Sequence, residues 1–193
     1  MRSIGNFKRT DYSDRMETGA EMENNGLQRI WIRILLTVLT VALMVQIFCF
    51  SMETAERSDA TSRKYAEQVI SLLHPDYERY PEDQQQVLLN EVQHVVRKLA
   101  HFTEYAALGL LMTLCLMSWF GRRQRTGFAA WAGGTFYACT DELHQLLTDG
   151  RSGQWTDVLI DSSGVLTGVL LVSLVIHLIR LRKKRKETEK ACP

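Results

Sequence analysis

Cysteine is scarce and carries no pattern. Of the four, Cys49, Cys115 and Cys139 fall inside apolar blocks and Cys192 lies in a basic tail. None stands at metal-ligand spacing and no pair marks an exposed loop, so neither a zinc site nor a disulfide is expected. An apolar core near the start is also missing. The first thirty residues are polar and of mixed charge, so no cleavable signal sequence is expected. Net charge, +1 over 193 residues, says little about partners, and the basic run at 180–190 is not expected to bind nucleic acid.

What the chain does have is segregation. Its mean hydropathy is slightly negative, yet the apolar residues stand in blocks with the charges between them. Ile34 to Phe50 is uncharged over 17 residues and extends back to Ile30 if Arg33 snorkels. At 1.5 Å per residue this just crosses a hydrocarbon core of about 30 Å. Three weaker blocks follow, each with acidic residues at one end. Leu99 to Phe120 holds His101 and Glu104, Phe128 to Leu147 ends on Asp141, Glu142 and His144, and Val158 to Ile179 holds Asp161. The expectation is an all-α membrane protein with four spans, at about 31–50, 99–120, 127–147 and 157–179. A disordered arm (1–29) precedes the 30–180 membrane domain, and a basic tail (181–193) follows it.

Loop charge sets the orientation. Lys plus Arg number six in residues 1–33, three in 121–126 and seven in 180–193. The 51–97 segment has five against nine acids, and 148–157 has only Arg151. The positive-inside rule therefore puts both termini and the 121–126 loop in the cytoplasm. Trp31, Trp119 and Trp155 fall at the expected interfaces. The basic run at 180–190 reads as a topology anchor against anionic lipid.

The 51–97 segment is patterned. Tyr65, Val69, Leu72 and Leu73 repeat at helical spacing. A further helix is expected from Pro81, with Glu82 and Asp83 at its positive end, running unbroken into the second span. The shorter helix before it is expected to lie on the outer surface.

Topology and position together single out one group of residues. Lys98, His101, Glu104 and Tyr105 lie at the outer end of the second span. Asp141, Glu142, His144 and Gln145 end the third, and Asp157 and Asp161 begin the fourth, with Arg151 in the intervening loop. Lys98, His101 and Tyr105 are spaced i, i+3, i+7 and share a face, as do Asp141 with Gln145 and Asp157 with Asp161. The last stripe continues into Gly164 and Gly168, a small-xxx-small pattern for close helix packing. Ionisable groups at membrane depth are costly and by default suggest function. Structural roles stand beside that reading. His101 and Glu104 would pair to lock the bundle, Asp157 would cap its helix, and Glu142 and His144 would be wetted at the interface.

The segments RKLAHFTEYAALGLL (97–111) and DELHQLLTDGRSGQWTDVLIDSSGVLTG (141–168) resemble the VanZ-like family of bacterial membrane proteins. The likeness covers roughly residues 35–180. The family's recurrent polar positions fall on Lys98, His101, Glu104, Tyr105, Asp141, Glu142, Gln145, Arg151, Asp157 and Asp161, with Asn more usual at the last. The resemblance implies an accessory role in the cell envelope, including tolerance of glycopeptide antibiotics such as teicoplanin. It does not imply a reaction.

Two classes of function fit these residues. As a binding module, the site holds a membrane lipid, a lipid-linked envelope precursor or a glycopeptide, with Lys98, Tyr105, Asp141, Glu142, Gln145, Arg151 and Asp157 as ligand contacts. As an enzyme on a lipid-linked or polyprenyl precursor, the candidates are His101 as acid/base with Glu104 or Asp161 orienting it, and Lys98 and Arg151 on phosphate. A divalent ion on Asp141, Asp157 and Asp161 is a variant, although no resident metal or cofactor is expected. Five carboxylates (Glu104, Asp141, Glu142, Asp157, Asp161) face two permanent cations, a balance that suits a cationic ligand better than a phosphate. Transport is disfavoured, because the spans show no inverted repeat and the inner half is apolar.

Overall fold

A computed structural model describes residues 5–52, 55–121, 124–146 and 155–191, and their side chains within 26–52, 56–121, 125–146 and 155–188. Among them every regular element is helical: α1 (Gly5–Ser51), α2 (Ala55–Leu73), a short 3-10 turn (Tyr77–Arg79), α3 (Glu82–Phe120), α4 (Gln124–Gln145) and α5 (Trp155–Ala191). Three stretches are long and apolar enough to cross a membrane: Gly26–Ser51, Glu82–Phe120 and Trp155–Thr188. α4 is not among them. Between Arg125 and Asp141 it carries Gly133, Gly134, Thr135 and Thr140 among its apolar residues, which dilutes its hydrophobicity.

One expectation about the ends of the chain changes. The arm read as disordered is helical in its backbone from Gly5, continuous with the apolar part of α1. No proline interrupts residues 5–51, so a helix already nucleated in the apolar block can propagate outward one residue at a time. The basic tail likewise continues α5 to Ala191.

Contacts along the helices give their directions. Arg33 donates from Nε to the Ser118 carbonyl oxygen at 2.9 Å and stacks over the Trp119 ring at 5.3 Å. Ile47, at the other end of α1, shares a cavity wall with His101 and Glu104. α1 and α3 are therefore antiparallel. Tyr137 donates to the Met44 carbonyl at 2.6 Å and His144 stacks on Phe48, so α4 runs with α1. Lys98 pairs with Asp157 and Gly168 meets Ala106, so α5 runs with α3. α1, α3, α4 and α5 form a bundle of alternating direction around Ile47, Tyr105, Leu108, Ala130, Ala138, Val165 and Val169.

The tightest joint is between α3 and α5, and glycine makes it. A Cβ on Gly164 would stand 2.5 Å from the Phe102 carbonyl oxygen. One on Gly168 would overlap the Ala106 carbonyl, and one on Gly109 that of Val165. The small-residue stripe read from the sequence is a backbone-to-backbone contact, completed from the α3 side by Gly109. At the far end of α3, Gly121 adopts φ 80° and donates its N–H to the Met117 carbonyl, closing the helix.

α2 does not lie across the end of the bundle. It stands antiparallel along the first half of α3, with Arg97 bonded to Asp59 at 3.2 Å and Gln93 to Ser62 at 3.1 Å. Beyond these, Ala66 and Ile70 pack on Leu89. The apolar stripe expected to organise this helix is the outward one: Tyr65, Val69, Leu72 and Leu73 are all exposed. Small Ser62 and Ala66 face α3 instead, because they let the two backbones approach. Pro81 is the residue before α3 and not its first, its extended ψ of 146° presenting a carbonyl that accepts from Gln85.

The glycine joint makes a direct prediction. Gly168→Val should lower the melting temperature in detergent, since relieving a backbone overlap typically costs about 1–3 kcal/mol or more. Gly26→Ala, whose Cβ meets nothing within 4 Å, should leave melting unchanged or raise it slightly. Equal melting of Gly168→Val and the parent would refute the joint.

Candidate functional site

The antiparallel bundle brings one end of each helix together, and the polar residues sit there. α3 supplies Lys98, His101, Glu104 and Tyr105, α4 supplies Asp141, Glu142 and Gln145, and α5 supplies Asp157 and Asp161. Lys98 forms an ion pair with Asp157. One turn deeper, His101 Nδ1 lies 3.9 Å from Asp161 Oδ1. On α4, Gln145 donates to Asp141 Oδ2 at 3.4 Å. Arg151 lies outside the described residues.

Burial grades the group. Asp161 is 1% exposed, Asp141 3%, and Glu142 and Gln145 6% each. Glu142 is thus buried, not wetted at an interface. His144 is half-buried against Phe48. Asp157 sits in the first turn of α5, but its partner is Lys98, so it ties two helices as well as starting one. Asp161 lies within electrostatic reach of Asp141, Asp157 and Glu142, with Lys98 opposing them. Tyr105 is fully buried, stacked at 6.3 Å from Tyr137 and close to both Asp141 and Asp161. Charges drawn into a dry interior need a partner, and Lys98 and His101 are the basic groups on the α3 side of these acids.

The face opposite α5 opens into a cavity of about 480 Å³ between the end of α1, the start of α2 and α3. His101 and Glu104 reach it, together with Arg57 and Arg97. Neither arginine was singled out from the sequence. The signal was there: Arg97, His101 and Glu104 are spaced i, i+4, i+7 and share a face, next to the Lys98, His101, Tyr105 face. His101 belongs to both. Glu104 lines the cavity and still lies within electrostatic reach of Asp141.

The metal variant finds no support in this geometry. Among the described residues no group of three or more His, Cys, Asp or Glu is placed to hold an ion. Asp157 is taken by Lys98.

The VanZ/LLP1 family profile matches residues 36–177. The chain belongs to the VanZ/LLP1 family. That range takes in α3 and α4 whole, α1 from residue 36 and α5 up to residue 177, with every polar residue just placed. No curated protein and no solved structure matches the chain significantly, so VanZ/LLP1 membership supplies the kinship and the geometry must supply the chemistry.

The ion pair between α3 and α5 is testable by a double-mutant cycle. Lys98→Met should destabilise by roughly 1.5–3 kcal/mol, as expected for a part-buried charged hydrogen bond. Lys98→Met combined with Asp157→Leu should recover most of that loss in detergent melting. Additive losses would show that the two side chains are not coupled.

Proposed function

We propose that this VanZ/LLP1 protein spans the bacterial cell membrane four times with both termini cytoplasmic, and that its polar end is an outward-facing ligand site. In this reading the site binds a component of the cell envelope and acts as an accessory in envelope or teicoplanin-type glycopeptide tolerance. Lys98, Tyr105, Asp141, Glu142, Gln145, Arg151 and Asp157 contact the ligand or hold those that do. The observation that carries the reading is convergence. Lys98 with Asp157, His101 with Asp161, and Asp141 with Gln145 come from three helices to one level, beside a cavity that reaches His101 and Glu104. The Lys and Arg distribution supports the orientation, because the end opposite the polar site carries the basic loops.

A second reading is favoured by one detail. His101 stands between the Asp161 carboxylate and an open cavity, with Glu104 on the same wall, an arrangement that would serve acid–base chemistry on a lipid-linked or polyprenyl envelope precursor. The two readings part on His101→Ala. An enzyme loses turnover and keeps its ligand, whereas a binding site loses the ligand.

Topology and function are checked separately. A membrane-impermeant maleimide should label Ser71→Cys from outside, on exposed α2, and not Thr188→Cys, in a chain lacking native cysteines. Ser62 would be a poor reporter because it is buried under Gln93. The reverse pattern refutes the orientation. Expression in a susceptible bacterium should raise the minimal inhibitory concentration of teicoplanin. Asp161→Leu should abolish that rise with membrane abundance unchanged, because an apolar residue at that depth favours insertion. Asp161→Asn should retain it. Full tolerance with Asp161→Leu would exclude the polar cluster from the function.

A further inference from the structure

The sequence alone made the polar end look too acidic for an anionic ligand. The structure divides it into two faces of different make-up. Asp141, Glu142 and Asp161 are buried on the α4 and α5 side of α3. The cavity on the other side carries two guanidinium groups, Arg57 and Arg97, with the Glu104 carboxylate on its wall and Asp59 paired to Arg97 at its edge. Its volume, about 480 Å³, falls in the range of small-molecule sites, about 300–1,000 Å³.

The cavity is also amphipathic along its length. Arg97 and Glu104 are seven residues apart on α3, so at 1.5 Å per residue about 10 Å separates their levels. The guanidinium end is the one farther from the bundle centre. Ile47, Phe50, Val96 and Ala100 add apolar wall, and Phe50 is itself exposed at the α1 surface. A chain lying on Phe50 therefore leaves the cavity along an apolar wall. The hydroxyl of Ser58 also lines the cavity, supplying a donor of the kind that phosphate oxygens accept.

We propose that this cavity holds the phosphate headgroup of a membrane lipid, with Arg57 and Arg97 on the phosphate and the hydrocarbon chain leaving past Ile47 and Phe50. Arginine suits that task because its planar fork meets two phosphate oxygens at once. Asp59 modulates it: its carboxylate holds Arg97 at 3.2 Å and competes with the ligand for the same guanidinium. His101 sits at the floor between the two faces, so the headgroup and the buried acids act on one imidazole. The inference rests on the outward-facing site proposed above and names the ligand class for it.

The test uses the full chain in neutral maltoside micelles, with radiolabelled dodecyl phosphate as probe. Binding should be saturable and at least tenfold weaker in Arg57→Gln/Arg97→Gln, two surface changes that should leave melting intact. Asp59→Asn should bind several-fold more tightly, a gain that mere damage to the fold would not produce. Inorganic phosphate should compete poorly, since it lacks the chain. Equal competition by inorganic phosphate would show a free-anion site and overturn the lipid assignment. So would unchanged binding in the double variant, or stronger competition by dodecyltrimethylammonium. The two proposals fail separately. Loss of dodecyl phosphate binding while Asp161→Leu still abolishes teicoplanin tolerance removes the lipid phosphate and leaves the polar site standing. Arginine-dependent binding with full tolerance in Asp161→Leu does the reverse.

Discussion

Everything at the polar end depends on how closely α3 and α5 can approach. Gly109, Gly164 and Gly168 let the two backbones touch, and in an apolar surrounding such packing, not hydrophobic burial, holds helices together. Because the helices run parallel, a contact at one level fixes the register at every other. With Gly168 against Ala106, the ends above can only set Asp157 beside Lys98 and Asp161 beside His101. The ion pair is then a consequence of the glycine joint as much as a cause of it. Sequence spacing put the acids and the glycines on one stripe of α5, and the contact shows why they share it.

The same geometry gives His101 its unusual position. A side chain on the α5-facing stripe of α3 would ordinarily be sealed between helices, as Tyr105 is. His101 is one turn closer to the end, where α2 leaves a gap against α1, so its ring is a quarter exposed while Nδ1 faces Asp161. The acidic side and the arginine-lined side therefore meet at one titratable group. A change of charge on either side of the ring alters what the other side prefers.

Much of this was legible in sequence, for identifiable reasons. The ends of α1, α3 and α4 and the start of α5 followed the apolar blocks closely, because a charge-free run in lipid must satisfy its own backbone and so must be helical. By contrast, α1 begins and α5 ends well beyond them. The long continuous α3 was readable, since its apolar residues never break between Val87 and Phe120. The face of α2 was not. Period alone marks an apolar stripe without saying whether the partner wants large residues or small ones, and α3 takes Ser62 and Ala66 while Tyr65 and Leu72 stay outside. The site was legible on its acidic side, where separate helices deliver like residues to one depth. Arg97 was readable from its shared face with His101 and Glu104, whereas Arg57 was hidden because its relevance depends on α2 folding back along α3, a tertiary fact with no local signature.

α4 shows what the bundle supplies to a helix that composition alone does not commit to the membrane. Its polar atoms are spent on neighbours. Trp131 Nε1 donates to Ser162 at 3.2 Å, Thr135 shares a 2.8 Å bond with the same hydroxyl, and Tyr137 reaches the Met44 carbonyl. Such bonds contribute about 0.6 kcal/mol each on average within membranes, a modest sum that must be joined by packing. Gly134 lies against the Val165 methyls and Gly133 against the Met112 Sδ and Cε atoms, so α4 fits where a bulkier helix would not. As the third span of the proposed topology, α4 is held by α1, α3 and α5 more than by its own hydrophobicity. Its polar end inherits that dependence. Asp141, Glu142 and Gln145 sit buried because the other three helices are already in place, and whatever loosens the α3–α5 joint releases those acids first.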